Sequence, residues 1–156
     1  MKKFRLRALN REINEIIIHC TDTLPLDNID MAWVDRLHRN QGWDCCGYHF
    51  VVKTDGTVEQ GRDIVKAGAH CHGHNVESIG IAYVGGNDYD GRHADTRTPA
   101  QHVAIRALLV ALHALFPNAE IHGHREFANK DCPCFDARKE YADIEDDTRF
   151  VIKSNT

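Results

Sequence analysis

Two histidines and two cysteines lie close together in the stretch HGHREFANKDCPCF, residues 122–135. Imidazole nitrogen and thiolate sulfur are ligands that zinc binds readily in proteins. A cysteine that follows a histidine by eight residues, on a loop that returns towards it, can reach the same ion. The spacing alone leaves open which of His122, His124, Cys132 and Cys134 bind, and a redox or structural Cys-x-Cys pair is the alternative.

His19 is a further candidate, although it lies far away in the sequence. It directly follows Ile16, Ile17 and Ile18, a run that indicates a strand covered on both faces. The end of such a strand is where α/β proteins place their functional sites. Two histidines and one cysteine would leave the fourth tetrahedral position to water, which is typical of a catalytic zinc site. For His19 taken alone, a hydrogen-bonded histidine at the edge of the core is the alternative.

A second histidine-rich stretch, AGAHCHGHN, also has the composition of a metal site. It contains His70, Cys71, His72 and His74. Alternate residues of an extended segment that includes glycines need not converge on one ion. We therefore interpret His72 and His74 as solvent-exposed loop residues.

The elements that would position these residues alternate between strands and helices. EIIIHC, SIGIAYVGG and AEIHGH indicate strands, and GYHFVVKTDGTVEQG indicates a hairpin about an Asp55-Gly56 turn. A helix is expected over 28–40, capped by Asp27 or Asn28. The capping box of Thr98 and Gln101, with Pro99 between them, starts a stronger helix that ends near Pro117. Residues 136–143 are expected to form a last helix. The pattern predicts an α/β fold, a single domain with a central mixed β-sheet flanked by helices.

The composition limits the partners. The chain has 156 residues, enough for one domain, and its net charge of −4 argues against nucleic-acid binding. No apolar run is long enough for a membrane span or a secretory signal, so we expect no membrane insertion and synthesis in the cytoplasm. There the six cysteines are expected to be thiols or ligands. Five basic residues mark residues 1–11 as an N-terminal arm, which is either solvated or able to bind polyanions. Residues 144–156 are expected to be a mobile tail.

Several ordered motifs carry a resemblance to a known family. They are IIIHCTDT, QGWDCCGYHFVVKTDGTVEQGRD, SIGIAYVGG, TPAQ and GHREFANKDCPCFD. Together they resemble the zinc-dependent N-acetylmuramoyl-L-alanine amidases, and more narrowly the small phage amidases called lysozymes, which are related to the peptidoglycan recognition proteins. The resemblance extends from about residue 12 to 140, and we assign the amidase domain to residues 12–143.

The resemblance implies roles for individual residues. His19, His124 and Cys132 match the family's zinc ligands, whereas His122 and Cys134 fall outside its motif. Tyr48 and Lys130 match the catalytic tyrosine and lysine. His70 matches a histidine in a loop that flanks the substrate groove, so a substrate contact is expected there. Asn75 is a weaker substrate-binding candidate.

The implied function is zinc-dependent hydrolysis of the amide between N-acetylmuramic acid and L-alanine in peptidoglycan. The enzyme would be a phage or prophage lysis enzyme that waits in the cytoplasm before acting on the cell wall. One alternative is a peptidoglycan-binding module without catalysis, since recognition proteins of this fold that lack the zinc cysteine bind without cutting. Another is regulation of an RNA polymerase, which some similar phage lysozymes bind and inhibit.

Overall fold

The computed structural model describes residues 9–146, which form a five-stranded mixed sheet with helices packed against it. The strands are β1 (Glu15–Cys20), β2 (Phe50–Val52), β3 (Val58–Gln60), β4 (Ser78–Tyr83) and β5 (Glu120–Gly123). Their order in the sheet is β3-β2-β4-β1-β5. All neighbouring pairs are parallel except the β2–β3 hairpin. The predicted fold class is confirmed.

Strand β1 lies inside the sheet, where it pairs with β4 on one side and with the edge strand β5 on the other. Ile16, Ile17 and Ile18 are completely buried, as expected for a strand covered on both faces. His19 follows them and pairs with Ala82 near the carboxyl end of β4. Because β5 is parallel to β1, its own carboxyl end lies at the same edge of the sheet.

Helix α2 (Pro99–Leu115) begins where the sequence predicted, with both halves of the capping box formed between Thr98 and Gln101. The Gln101 side chain is completely buried and also donates hydrogen bonds to the carbonyls of Val52 and Val84. The helix start is therefore attached to β2 and to the residue that follows β4. Ile105 and Leu109 of the same helix belong to the main hydrophobic core.

Helix α1 (Met31–Asn40) starts three residues later than predicted. Its cap is Asp30, whose carboxylate accepts a hydrogen bond from the backbone N–H of Trp33. The predicted cap Asp27 instead accepts a hydrogen bond from the Thr54 hydroxyl. The buried positions of the helix are Val34 and His38, and the His38 ring is held in place by a hydrogen bond from the N–H of Gly47.

The end of the described chain is helical. Helix α3 (Ala137–Glu140) is followed by a further helical segment at 142–146. Ile144 is buried in the main core, and the buried Glu145 carboxylate accepts a hydrogen bond from the N–H of Ile121. Both residues fall within the predicted tail, of which positions 147–156 lie outside the described residues, as do positions 1–8 of the predicted arm.

Arg11, the last residue of that arm, packs against the domain. Its guanidinium donates hydrogen bonds to the backbone carbonyls of Ile64, Val76 and Ser78. No helix among residues 9–146 combines the length and the apolar character that a membrane crossing requires.

Candidate metal centre and active site

Three potential metal ligands from distant parts of the chain meet at the carboxyl edge of the sheet. They are His19 in β1, His124 at the start of a 3-10 helix (His124–Glu126) directly after β5, and Cys132 on the loop that follows. One ligand atom from each residue lies within 4.8 Å of the other two. The parallel pairing of β1 and β5, with Ile18 opposite Gly123, is what places the two histidines side by side.

The donor set fits a zinc ion. Tetrahedral zinc with nitrogen and sulfur ligands holds neighbouring donor atoms roughly 3.3–3.6 Å apart, so small side-chain movements suffice to close the cluster. The Cys132 sulfur already accepts a hydrogen bond from the backbone N–H of Cys20, at 3.2 Å. Such a bond stabilises a thiolate, the form of cysteine that binds metals.

His122 and Cys134, the other two candidates of the same stretch, are directed to other partners. His122 lies in β5, and its ring nitrogens contact the carboxylates of Glu126 at 2.8 Å and Glu120 at 3.1 Å. The Cys134 thiol donates a hydrogen bond to the carbonyl of Gly86. Among the described residues, neither joins the His19, His124 and Cys132 cluster.

The two histidines of the cluster are kept uncharged by their surroundings. Burial holds the pKa of His19 well below its ordinary value, and the nearby His70, His124 and Lys130 lower it further. Burial also lowers the pKa of His124, followed by the effect of Lys130. A neutral imidazole has the lone pair that a metal needs, so both residues are suited to bind a cation at neutral pH.

Tyr48 and Lys130 lie beside the cluster. Both line a cavity of about 500 Å³ together with His124 and Cys132. The Tyr48 ring centroid is 5.1 Å from that of His19 and 5.4 Å from that of the buried His38. Burial raises the pKa of the Tyr48 phenol, which therefore keeps its proton at neutral pH. Lys130 is exposed and can direct its ammonium group into the cavity.

A second cavity of about 500 Å³ shares His124 and Lys130 with the first, since both residues line each cavity. His70 and Asn75, the predicted substrate contacts, are among the residues that line this cavity. The Asn75 side-chain oxygen accepts hydrogen bonds from the N–H groups of His70 and Cys71, so it shapes the loop between them. The ring of His70 is mostly buried and contacts His19, 51 positions earlier in the chain.

His72 and His74, which share that loop, do not join a metal cluster in the described part of the chain. His72 is exposed, as predicted. His74 is half-buried, because it contacts the Glu15 carboxylate at 2.8 Å and stacks on the Phe127 ring.

His93, which no motif in the sequence indicated, also lines the first cavity. One ring nitrogen is 2.6 Å from the Asp131 carboxylate and the other is 3.4 Å from that of Asp22. The hydrogen bond to Asp131 raises the pKa of His93. No local pattern in the sequence could have revealed this group, because its three members come from three separate loops.

A family profile described as N-acetylmuramoyl-L-alanine amidase matches residues 9–135. The chain belongs to this family. The match includes all three members of the metal cluster, as well as Tyr48 and Lys130. The resemblance described in the sequence analysis is therefore confirmed.

Individual relatives cover almost the whole domain. The endolysin of Escherichia phage T7 is 42% identical over 136 residues, which is 86% of this chain and 90% of the relative. The amidase LysC from Clostridium intestinale URNW is a structural neighbour with a TM-score of 0.72 at 28% identity, covering 91% of this chain and 89% of the other. Drosophila PGRP-LB has the same TM-score at 22% identity over 87% of this chain and 83% of its own, which shows a shared fold.

Proposed function

We propose that this amidase uses zinc to hydrolyse the bond between N-acetylmuramic acid and L-alanine in peptidoglycan, and that it serves as a phage or prophage lysis enzyme. The observation that carries the proposal is the convergence of His19, His124 and Cys132 beside Tyr48 and Lys130. The similarity to the phage T7 endolysin supports the role in lysis. Release from the cytoplasm to the cell wall is part of this proposal.

His19, His124 and Cys132 would hold the zinc ion. When bound, zinc supplies Lewis-acid activation of water and of the scissile carbonyl at neutral pH. This contribution matters because an amide is a poor electrophile and its amine is a poor leaving group. His124 and Cys132 line the first cavity, so the ion that they would hold with His19 could be approached there by a substrate carbonyl.

Lys130 and Tyr48 would act on the charges that develop during the reaction. Attack on the amide carbonyl produces an oxyanion, which is stabilised by donors that are already in position. The Lys130 ammonium and the protonated Tyr48 phenol are both donors on the wall of this cavity. The departing L-alanine nitrogen must also gain a proton, and either group can deliver it.

The two cavities fit a substrate that extends in both directions from the cleaved bond. A muropeptide has a sugar on one side of this amide and a stem peptide on the other. His124 and Lys130 line both cavities, so the scissile bond would be placed beside them with one part of the substrate in each cavity. His70 and Asn75 stay predicted contacts of the part that occupies the second cavity.

The test is to digest purified bacterial cell wall with the zinc-loaded protein and to identify the new chemical ends by mass spectrometry. We expect a free lactyl carboxylate on muramic acid paired with a free L-alanine amine. New reducing sugar ends would instead indicate a glycosidase. Retention of the protein on the wall with no new ends would indicate a binding module without catalysis. The Cys132→Ser variant provides the matched control for metal-independent cleavage.

A further inference from the structure

The His70 side chain connects the candidate metal centre to the interior of the sheet. Its Nδ1 atom is 2.8 Å from Nε2 of His19, and its Nε2 atom is 3.1 Å from the Ser78 hydroxyl oxygen. Ser78 is completely buried, and His19 and His70 are 1% and 9% exposed. The three residues thus form a hydrogen-bonded row from β1, through the loop after β3, to β4.

The backbone leaves a slot for the His70 ring. A Cβ atom added to Gly68 would lie 2.4 Å from Cδ2 of His70, and one added to Gly80 would lie 2.6 Å from the same atom. These separations are far below van der Waals contact, so the ring occupies space that any other residue at either position would fill. Gly80 lies within β4, where a glycine weakens the strand and often marks the close approach of another group.

The row of hydrogen bonds determines which nitrogens carry protons when His19 binds a metal. Its Nε2 atom contacts His70, so Nδ1 is the atom that would bind the metal. A neutral His19 then has its proton on Nε2 and donates it to Nδ1 of His70. His70 in turn has its proton on Nε2 and donates it to the Ser78 oxygen. In this arrangement each ring would be neutral, and with the metal bound every ring nitrogen would have a partner.

We propose that His70 is a positioning residue for the metal centre, which orients the His19 ring and fixes its tautomer. This inference rests on the proposed zinc function, since it assigns to His70 a role in holding a zinc ligand. A metal-bound histidine commonly uses its second nitrogen in this way, and loss of the partner typically costs 10–100-fold in metal affinity or activity. A histidine can fill the partner's role here because its Nδ1 atom is an acceptor.

The geometry favours positioning over the substrate contact that the sequence analysis predicts for the same residue. Both ring nitrogens of His70 are already engaged by protein groups. Only a small part of the residue reaches the second cavity, whereas the neighbouring His72 lines the same cavity and is exposed. The two roles predict different effects of mutation, because a substrate contact has no influence on the affinity for zinc.

The test measures zinc affinity by competition with a chelator in three folded variants. We expect His70→Leu, which removes both hydrogen bonds, to bind zinc about 10–100-fold more weakly than the wild-type protein. His70→Asn should recover most of this loss, because its amide oxygen can accept the His19 proton close to the position of Nδ1. His72→Ala is the matched control from the same loop and should leave the affinity for zinc unchanged.

Two further measurements keep the test decisive if His70→Leu fails to fold. Gly68→Ala retains His70 but fills its slot, so it should also weaken zinc binding. Cobalt bound in place of zinc should show a changed ligand-field spectrum in this variant and in His70→Leu. Wild-type zinc affinity and an unchanged cobalt spectrum in the folded variants would overturn the proposal. If the KM for muropeptide increased at the same time, His70 would be a substrate contact instead. Absence of zinc binding in the folded wild-type protein would instead reject the zinc amidase function itself.

Discussion

Cys132 and Cys134 are two positions apart, yet their thiols have different partners. Cys132 joins the two histidines and accepts a hydrogen bond from the N–H of Cys20, whereas Cys134 donates to the carbonyl of Gly86. We therefore expect Cys132→Ser to lose both zinc and amidase activity, because a hydroxyl is a much poorer zinc ligand than a thiolate. Metal analysis of the purified variants measures this, with Cys134→Ser as the control that keeps zinc. A full zinc content in Cys132→Ser would transfer the assignment to Cys134.

Lys130 lines the cavity without belonging to the metal cluster. We expect Lys130→Ala to keep its zinc and to lose about 10²–10³-fold in turnover, the typical effect of removing one donor to a developing oxyanion. Release of stem peptides from cell wall under saturating substrate measures the change. Lys139→Ala, which removes an exposed lysine from α3, is the matched control. Undiminished turnover in Lys130→Ala would exclude its catalytic role.

At the scale of residues, the sequence was sufficient to predict the candidate metal ligands but not the residues that hold them in place. His19 could be predicted because three isoleucines place it at a strand end, and the family motif favoured His124 and Cys132 within their stretch. The contact between His70 and His19 could not be predicted, because it joins residues 51 positions apart and depends on two glycines of different elements. Spacing in the sequence contains no information about such a slot.

At the scale of elements, local signals predicted α2 better than α1. The capping box of α2 lies within four consecutive residues, so its start was correct. Three acidic or amide residues precede α1, so local sequence did not show which of them caps the helix. Asp27 accepts a hydrogen bond from the Thr54 hydroxyl, and Asp30 is the cap. The buried face of α1 contains a polar residue, His38, whose ring accepts a hydrogen bond from the N–H of Gly47, whereas the neighbouring Leu37 is exposed.

Arg97 joins the start of α2 to α3. Its side chain is almost completely buried and contacts the carboxylates of Asp95 and Glu140. The Cζ atom of its guanidinium lies 3.3 Å from the centre of the Phe135 ring. Burial alone would raise the pKa of Glu140, but the interaction with Arg97 holds this pKa below its ordinary value of 4.5. A carboxyl group with a lowered pKa in the folded state stabilises the protein above the unfolded-state pKa and loses this effect as the pH falls through the folded-state value.

We therefore expect Glu140→Gln to be less stable than the wild-type protein at pH 7, with the difference shrinking below about pH 4.5 as Glu140 of the wild type becomes protonated. Urea unfolding of both proteins at pH 7 and at lower pH measures this. Asp143→Asn, which removes an exposed partner of Arg106, is the control and should have a smaller effect. An equal difference at every pH would show that the Glu140 charge is not responsible.

At the scale of the whole molecule, the fold class could be predicted, but the order of the strands could not. The hairpin of β2 and β3 was evident from its turn, and the isoleucines of β1 indicated a strand covered on both faces. The order β3-β2-β4-β1-β5 depends on parallel pairings between residues from 31 positions apart (Phe50 and Ile81) to 105 positions apart (Glu15 and Glu120), for which the sequence gives no register. Binding to an RNA polymerase, which the resemblance raised, stays a prediction.

The metal should stabilise the whole domain, because its ligands come from both ends of the described chain. A ligand that binds only the folded state adds about 2.7 kcal/mol of stability at a free concentration of 100 times its Kd. We expect zinc to raise the Tm of the wild-type protein and a chelator to reverse this shift. Calorimetry of wild type and Cys132→Ser, with and without zinc, measures it. An equal shift in both proteins would place the bound zinc elsewhere.

The order of the three ligands along the chain determines when, during synthesis, the ligand set becomes complete. Strand β5 ends at Gly123, so all five strands have been translated before Cys132 is added. A nascent or prematurely terminated chain that ends between these residues can contain every strand of the sheet and still lack the thiolate. Such a fragment would lack the third proposed zinc ligand, so the proposed hydrolysis could arise only after Cys132 has been added.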